Sequence, residues 1–511
     1  MSVQQSSFYD KTDPGVLAEG MVAQAAALEA AVRDAARAGL SLDALERHVF
    51  DQVLRIGHAA LDLFFSQQGH GDLGESVTTG NSHTLVRSEQ PAVHEVRSVF
   101  GRHTFDSYVY APGPHLKIEL RPLAARMSLP AGINSYLFEE FSQFFCVEQA
   151  FSLSRRGLET VLHQSVCVDQ LQDMNHRMGT QAHEFLQNLP LPPTAEEGEL
   201  LVLTADGKGV PLVKANAARI PLTADAPERP GNRRMATLAG VYSVDCYDRT
   251  PGDVLAALFR DADRPRKNDR PKPCYKELIA CFPQTYDVGE GQTEEVSGAM
   301  EAFTWASGRI ESRLRPGQTL VRLLDGAPSL VDTSNVCLPE HVTAIDILDV
   351  VHVAGYVKRA ARVFHTHQEH REAFSRELLE KILNGQTAAV IHGLRVRAGR
   401  HRLRGELLKE IHTVCGYFEN NQHRMSYDEY LKKGYPIATG VIEGACRHLV
   451  KDRMERTGMR WRVENAESML HVRVVFQSSH QEAFHASRKA TEQQVIHPHR
   501  SLLNDYKPLT V

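Results

Sequence analysis

The sequence predicts a multidomain α/β protein, and three observations carry that prediction. The chain has 511 residues, more than one compact core accommodates. Helix-period apolar patterns fill residues 15–67 and 134–189, while alternating or continuous apolar runs appear between 84 and 130 and again after 199. A Pro-rich stretch, "LPLPPTAEE" from Leu189 to Glu197, separates the helical part from the α/β part.

The elements follow in order. Residues 15–67 are Ala-rich with a break at Gly39, which predicts an N-terminal helical region, 1–83, closed by a loop. The stretches "AVHEVRSVF", "HTFDSYVYA" and "HLKIELRPL" then predict a small antiparallel β unit, 84–130. Between 131 and 190 the pattern reads helix, helix, short turn, helix, which suits a helix-turn-helix DNA-binding domain or, alternatively, a plain helical hairpin inside a larger domain. Its last helix, with Ser165 as N-cap, offers Gln170, Asn175 and Arg177 as polar groups suited to reading DNA.

After the linker, 196–355 reads as the first part of an α/β core. "LLVLTADGKGVPLVKA" gives a buried strand, an Asp-Gly turn and a second strand, and "MATLAGVYSVDCY" gives another. A basic loop, "RPRKNDRPKP", precedes the helix "GAMEAFTWASGRIESRL". "QTLVRLLDGAPSLV" is a strand ending in Asp-Gly, and "VTAIDILDVVHVAGYVKRAARVF" is a strand leading into a helix. Residues 356–433 are helical, broken by a second basic loop, "HGLRVRAGRHRLRG". The remaining 434–511 hold the last part of the core and a C-terminal tail.

Composition excludes several classes. Net charge is −5 with 24% charged residues, so the chain is no polycation and contact with nucleic acid requires local basic patches. Eight cysteines occur without a C-x-x-C pair, which excludes zinc-ribbon spacing and reads as reduced, cytosolic usage. Neither a basic, apolar leader nor an uninterrupted 18-residue apolar run is present, so no secretion signal or membrane span is expected. Phosphate-loop and dinucleotide fingerprints are absent, and His365, His367 and His370 do not fit H-E-x-x-H.

Candidate chemistry rests on carboxylates that close or open regular elements. Asp206 and Asp325 end strands, and Glu443 opens a helix. Singly, the two Asp-Gly pairs read as turns and Glu443 as a helix-dipole residue. Together they can converge at a sheet edge and hold two Mg²⁺ ions for phosphodiester chemistry. Arg447, Lys451 and Arg453 follow Glu443 on the same helix. Arg395, Arg397, Arg400, Arg402 and Arg404 crowd one basic stretch without an acid, which favours phosphate contact. Trp461, near Arg460, reads either as a core anchor or as a platform for an unpaired base.

"TADGKGVPL", "LLDGAPSLV", "AIDILDVVHVAGYV" and "YPIATGVIEGACRHLVKDRMERTGMRWRVENAESMLHVRVV" resemble the ISKra group of bacterial insertion-sequence transposases. More broadly they resemble DDE transposases, across roughly residues 130–475. The resemblance implies a ribonuclease-H-like core with 356–433 as a helical insertion, and Asp206, Asp325 and Glu443 as the metal-binding triad. It also implies a supporting pair, Asp349 and His352, from a C/D-x-x-H motif. Asp349 itself ends a strand and rivals Asp325 for the second metal position. Where related proteins carry a cysteine-rich zinc element, the turn here runs from Tyr110 to Pro114, and no zinc is expected at it.

The implied function is metal-dependent cleavage and strand transfer. Mg²⁺ is the expected cofactor, with Mn²⁺ as substitute, and double-stranded DNA of transposon ends and target is the expected partner. A homodimer in the bacterial cytoplasm, associated with the nucleoid, is the expected setting. The rivals are a catalytically idle helix-turn-helix regulator and a nuclease of the same core fold without strand transfer.

Overall fold

A computed structural model describes residues 13–218, 220, 231–262, 264, 270–289, 292–456, 458–478 and 480–508. The first twelve residues and the centre of the basic loop 264–273 lie outside them. The chain forms two compact units, Met1–Asn175 with Gln481–Val511, and His176–His480. The C-terminal tail thus belongs with the N-terminal elements.

The first unit begins with two helices whose ends are chemically marked. Asp13 caps Pro14–Ala38 by accepting from the Gly15 N–H at 2.8 Å, and Gly39 closes it in the left-handed region at φ 67°. Leu42–Ser66 starts on Ser41, whose hydroxyl accepts from the Ala44 N–H at 3.3 Å. Pro14–Ala38 buries none of its residues and is the one described helix with the length and mean hydropathy, 1.3, of a membrane span. It also carries the ion pairs Arg33–Glu29 and Arg37–Asp34.

Five short strands follow: β1 (Ser76–Thr78), β2 (Thr84–Arg87), β3 (Ala92–Ser98), β4 (Gly101–Ser107) and β5 (Tyr110–Ala111). β3 and β4 form an antiparallel hairpin, and β1, β2 and β5 form a separate antiparallel sheet. The strand expected in "HLKIELRPL" does not form. Only a bridge between Tyr110 and Leu120 is made before Pro122 opens the short helix Pro122–Arg126. Proline suits that first helical position because its missing N–H has no partner to lose there.

The trihelical run is present as Tyr136–Glu148, Phe151–Leu162 and Val168–Gln187. Ser165 is not the cap of the last helix; its hydroxyl donates to Glu159, and the Gln170 N–H reaches Cys167 Sγ at 3.4 Å. The third helix is committed to packing. Asn175 is buried with its amide donating to Gln143 Oε1 at 2.9 Å, and Gln170 Oε1 lies 3.5 Å from Arg97 Nη1. From His176 onward the helix is part of the second unit. There a Cβ on Gly179 would stand 2.4 Å from Ser468 Cβ, and His176 Nδ1 lies 3.0 Å from Ser468 Oγ. Asn175 is corrected from a DNA-contacting to a packing residue. Arg177 stays exposed.

The second unit is built on a mixed five-stranded sheet. Its strands are β6 (Leu200–Pro211), β7 (Arg233–Val244), β8 (Cys274–Cys281), β11 (Thr319–Leu324) and β12 (Ala344–Leu348), and a hairpin of β9 (Gln284–Gly289) and β10 (Gln292–Val296) stands apart from it. Spatial order is β12-β11-β6-β7-β8, with β6, β7 and β8 an antiparallel meander and β11 and β12 parallel to β6. β6 corrects the expected strand–turn–strand. It pairs with β7 without a break from Leu200↔Val244 to Pro211↔Arg233, so Asp206 sits mid-strand opposite Leu238. The long ladder overrides the Asp-Gly turn signal, and Met235 covers Gly207 so closely that a Cβ there would lie 2.7 Å from its methyl. The upstream half of β6, through Ala205, is buried, as expected for a strand in a parallel arrangement.

Helix Gly298–Arg313 crosses the sheet and brings two buried guanidiniums to β8. Arg309 and Arg313 both reach Glu277, at 2.7 and 2.8 Å, and Arg313 also holds Glu197 at 2.9 Å. The stretch 356–433 is helical as the pattern predicts, in Val350–Phe364, Gln368–Leu383, Thr387–Arg400, Gly405–Asn421 and Tyr427–Lys432. The second basic loop is largely a helix: Leu394 and Ala398, four apart, are both buried and hold residues through Arg400 in the ladder. Beyond it, Gly440–Ala445 continues as a π-helical turn, Cys446–Lys451, into Asp452–Met454, and Val463–Phe476 packs behind.

Candidate active site

Strand register brings three aspartates to one level. Ala205 of β6 pairs with Leu324 of β11, and Leu324 pairs with Leu348 of β12. The next residues in those adjacent, parallel strands are Asp206, Asp325 and Asp349. Helix Val350–Phe364 starts on Asp349 and presents His352; helix Gly440–Ala445 presents Glu443. Five chemistry-bearing side chains from distant parts of the sequence thus meet at one sheet edge.

Their surroundings differ. Asp349 is fully buried and both of its oxygens are committed. Oδ1 accepts from the N–H groups of Val351 (3.1 Å) and Thr439 (3.2 Å). Oδ2 accepts from Thr439 Oγ1 (2.9 Å) and His352 Nδ1 (2.8 Å). Asp325 is half-buried, accepts among the described residues from the Ala327 N–H at 3.0 Å, and turns Oδ2 toward His352 Nε2 at 4.0 Å. Burial, then the neighbouring Asp206 and Asp349 charges, raise its carboxyl above the usual range, with Ala327 and His352 opposing. Glu443 is raised in the same way by burial, Asp349 and Asp206. His352 is pushed up to about 9, first by its hydrogen bond to Asp349, so it is an imidazolium at neutral pH. Asp206 Oδ1 accepts from the Gly207 N–H at 2.7 Å, and the Cys446 thiol, raised by burial and by Asp206, stands beside it.

Among the described residues, Asp206, Asp325 and Glu443 form no ion pair with Lys or Arg. An all-oxygen set of carboxylates, two of them held above their ordinary range by burial and by the Asp206 and Asp349 charges, fits a hard divalent cation. Asp349, His352 and Glu443 also place ligand atoms within 4.8 Å of one another, but four donors already saturate the Asp349 oxygens.

The segment carrying Glu443 is fixed from behind. Arg473, buried in Val463–Phe476, donates to the carbonyls of His448 and Leu449 in the π-helical turn, the latter at 2.8 Å. Those carbonyls find a partner where the wider ladder loosens its own. Trp461 is 5% exposed; its indole N–H donates to Met454 O at 3.2 Å and its backbone pairs with Pro211 and Val213 beyond β6. Arg453 is 0% exposed and stacks on the Trp461 ring at 4.9 Å. Of the two readings of Trp461 the core anchor holds, and the expected surface role of Arg453 is corrected: it is a packing cation inside the fold.

Arg447, Lys451 and Arg460 are exposed. In the arginine-rich stretch, Arg395 pairs with Glu419 at 2.7 Å, and Arg397 stacks on Phe374 at 4.6 Å. Arg400, Arg402 and Arg404 remain exposed.

Four contributors escaped sequence reading. Thr439 locks Asp349, and Cys446 lies against Asp206. Lys358 and Arg362 line a groove of about 400 Å³ with His352, Tyr356, Arg359 and Glu443. Their signal was "VKRAAR", which places Lys358 and Arg362 four apart on the helix that starts at Asp349.

No protein-family model matches the chain, and no curated protein matches it. Among solved structures, it is similar to a chain of the Drosophila P element transposase strand transfer complex. The likeness has 9% identity and a TM-score of 0.22, covering 72% of this chain and 84% of that one.

Proposed function

We propose that the chain is a DDE transposase with a ribonuclease-H-like core, whose site residues are Asp206, Asp325 and Glu443. The carrying observation is that β6 and β11 bring Asp206 and Asp325 to the same level, with Asp206 in electrostatic reach of both Asp325 and Glu443. The sheet supports the fold reading: counted along the chain, its strands lie 5-4-1-2-3 with only the second antiparallel to the rest. Membership in the ISKra group rests on the quoted motifs.

Two Mg²⁺ ions, or Mn²⁺ in their place, held by Asp206, Asp325 and Glu443 would activate the attacking oxygen and stabilise the leaving oxygen of a phosphodiester. The chain's own groups do the positioning. Asp349, fixed by Thr439, holds the His352 ring and its positive charge beside Asp325. Lys358 and Arg362 in the groove, with Arg447 and Lys451 on the Glu443 segment, supply cations for the DNA backbone. Saturation of Asp349 favours Asp325 as the second cation ligand. Double-stranded DNA of the element's ends and of the target is the proposed substrate, bound by a homodimer that pairs two ends in the bacterial cytoplasm.

The test is joining of a labelled 3′ end of the element to a target plasmid in Mg²⁺. Joined product supports strand transfer. Cleavage without joining would assign a nuclease instead, and binding without cleavage an idle regulator.

A further inference from the structure

In the first unit, helix Leu42–Ser66 and hairpin β3–β4 bring together two histidines and a carboxylate that the proposed reaction does not use. His58 Nδ1 lies 3.0 Å from Asp62 Oδ2, one helical turn away. His103 Nδ1, from β4, lies 2.7 Å from Asp62 Oδ1. Ligand atoms of all three lie within 4.8 Å of one another, and the two imidazole rings are 4.4 Å apart.

We propose that His58, Asp62 and His103 are a zinc-type cation site that pins the helix to the hairpin and leaves a fourth position for water. Hydrogen bonding at His58 carries the argument. Its Nε2 faces the carbonyl oxygen of Arg102 at 3.1 Å, and its Nδ1 faces the Asp62 carboxylate. A neutral imidazole has one N–H and one lone pair, so it cannot donate to both acceptors. With Nε2–H on the carbonyl, Nδ1 faces the carboxylate, and that arrangement is satisfied either by a proton, which Asp62 favours by raising the ring's pKa, or by a metal cation between them.

The outer contacts match that role. Metal-bound histidines regularly donate their second ring N–H to a backbone carbonyl or another acceptor, which sets tautomer and orientation. His58 has the Arg102 carbonyl, and His103 Nε2 has Ser98 Oγ at 2.9 Å. Space is also reserved for the His58 ring: a Cβ on Gly101 would stand 2.7 Å from His58 Cδ2. Gly101 has φ 138°, a conformation that excludes other side chains at low strain.

Two nitrogens and one carboxylate oxygen are a donor set suited to Zn²⁺. Tetrahedral zinc with bonds of about 2.0–2.1 Å spaces its ligand atoms about 3.3 Å apart. The observed 2.7 and 3.0 Å run to different oxygens of Asp62, so a modest turn of the carboxylate presents one oxygen to both histidines while the three ligand atoms, already within 4.8 Å of one another, settle to that spacing. His103 is buried, whereas 28% of the His58 side chain is exposed, which gives an entry path.

The experiment titrates Co²⁺ into the chelator-treated full chain and follows the visible absorption of tetrahedral Co²⁺, then its displacement by Zn²⁺. The expected result is one such site, weakened about 10-fold or more by His58→Ala and by Asp62→Asn, and unchanged by Asp325→Asn. That last variant separates it from the oxygen site of the second unit. Circular dichroism checks that each variant is folded, and Asp62→Asn, nearly isosteric, keeps the test alive if His58→Ala is not. A folded wild type without tetrahedral Co²⁺ absorption, or an undiminished signal in folded Asp62→Asn and His58→Ala, overturns the proposal and leaves an imidazolium–carboxylate cluster.

Discussion

Asp325 and Asp349 follow paired residues of adjacent strands, and hydrogen bonds give them different work. Four donors saturate Asp349, whereas Asp325 keeps an oxygen open beside His352. Because burial and like charges raise Asp325 and Glu443, their ionised forms are held at neutral pH against the fold's preference. Asp325→Asn and Glu443→Gln should therefore raise the Tm in chelator. In Mg²⁺ the order should reverse, since only wild type gains from binding, and cleavage by either variant should fall about 10²–10³-fold or more. A lower Tm in chelator would count against the crowding of charge described here. Thr439→Val removes one of the donors that orient Asp349 and should slow cleavage about 10–100-fold, with the Tm recorded alongside to separate positioning from unfolding.

At the scale of elements, packing behind the site sets stability. Trp461→Ala would open a cavity beneath the Glu443 segment and unpin Arg453, a loss of about 3–5 kcal/mol measurable by denaturant unfolding. His471, in the helix packed on β8, is fully buried with Nε2–H donating to Ala280 O at 3.1 Å, and desolvation, then His183, lowers it to about 3. A histidine with a depressed folded pKa stabilises the fold above its unfolded value near 6.5, and that contribution is lost as pH falls below it. Unfolding free energy should drop by about 2 kcal/mol from this group between pH 6.5 and 5, and His471→Gln should flatten that part of the slope.

Elements with clear punctuation were readable in the sequence: the break at Gly39, the strand before Asp325, and the helix opening at Asp349. β6 was misread because an Asp-Gly pair signals a turn locally, while its twelve-residue pairing with β7 is a tertiary fact. β8 was not recognised, since "CYKELIAC" is short and mixes charge with apolar residues. Arg453 looked like a surface group, and Trp461 stayed open between core anchor and base platform, because a buried cation stacked on an indole leaves no periodic trace.

At the scale of the molecule, a chain of net charge −5 gathers cations around one sheet edge while its acids converge there. Residues 206, 325 and 349 become neighbours through the parallel register of β6, β11 and β12, and helix Gly440–Ala445 adds Glu443. Asp325, Asp349 and Glu443 were thus legible as acids at element ends, whereas the mid-strand place of Asp206, the Thr439 lock and the Lys358–Arg362 groove required the fold. The most direct test is a divalent-cation-dependent cleavage assay of the full chain on DNA bearing the element's ends, comparing wild type, Asp325→Asn and Asp349→Asn. Cleavage by wild type, loss in Asp325→Asn and partial activity in Asp349→Asn are predicted. No cleavage by wild type in Mg²⁺ or Mn²⁺, or full activity in Asp325→Asn, would contradict the account.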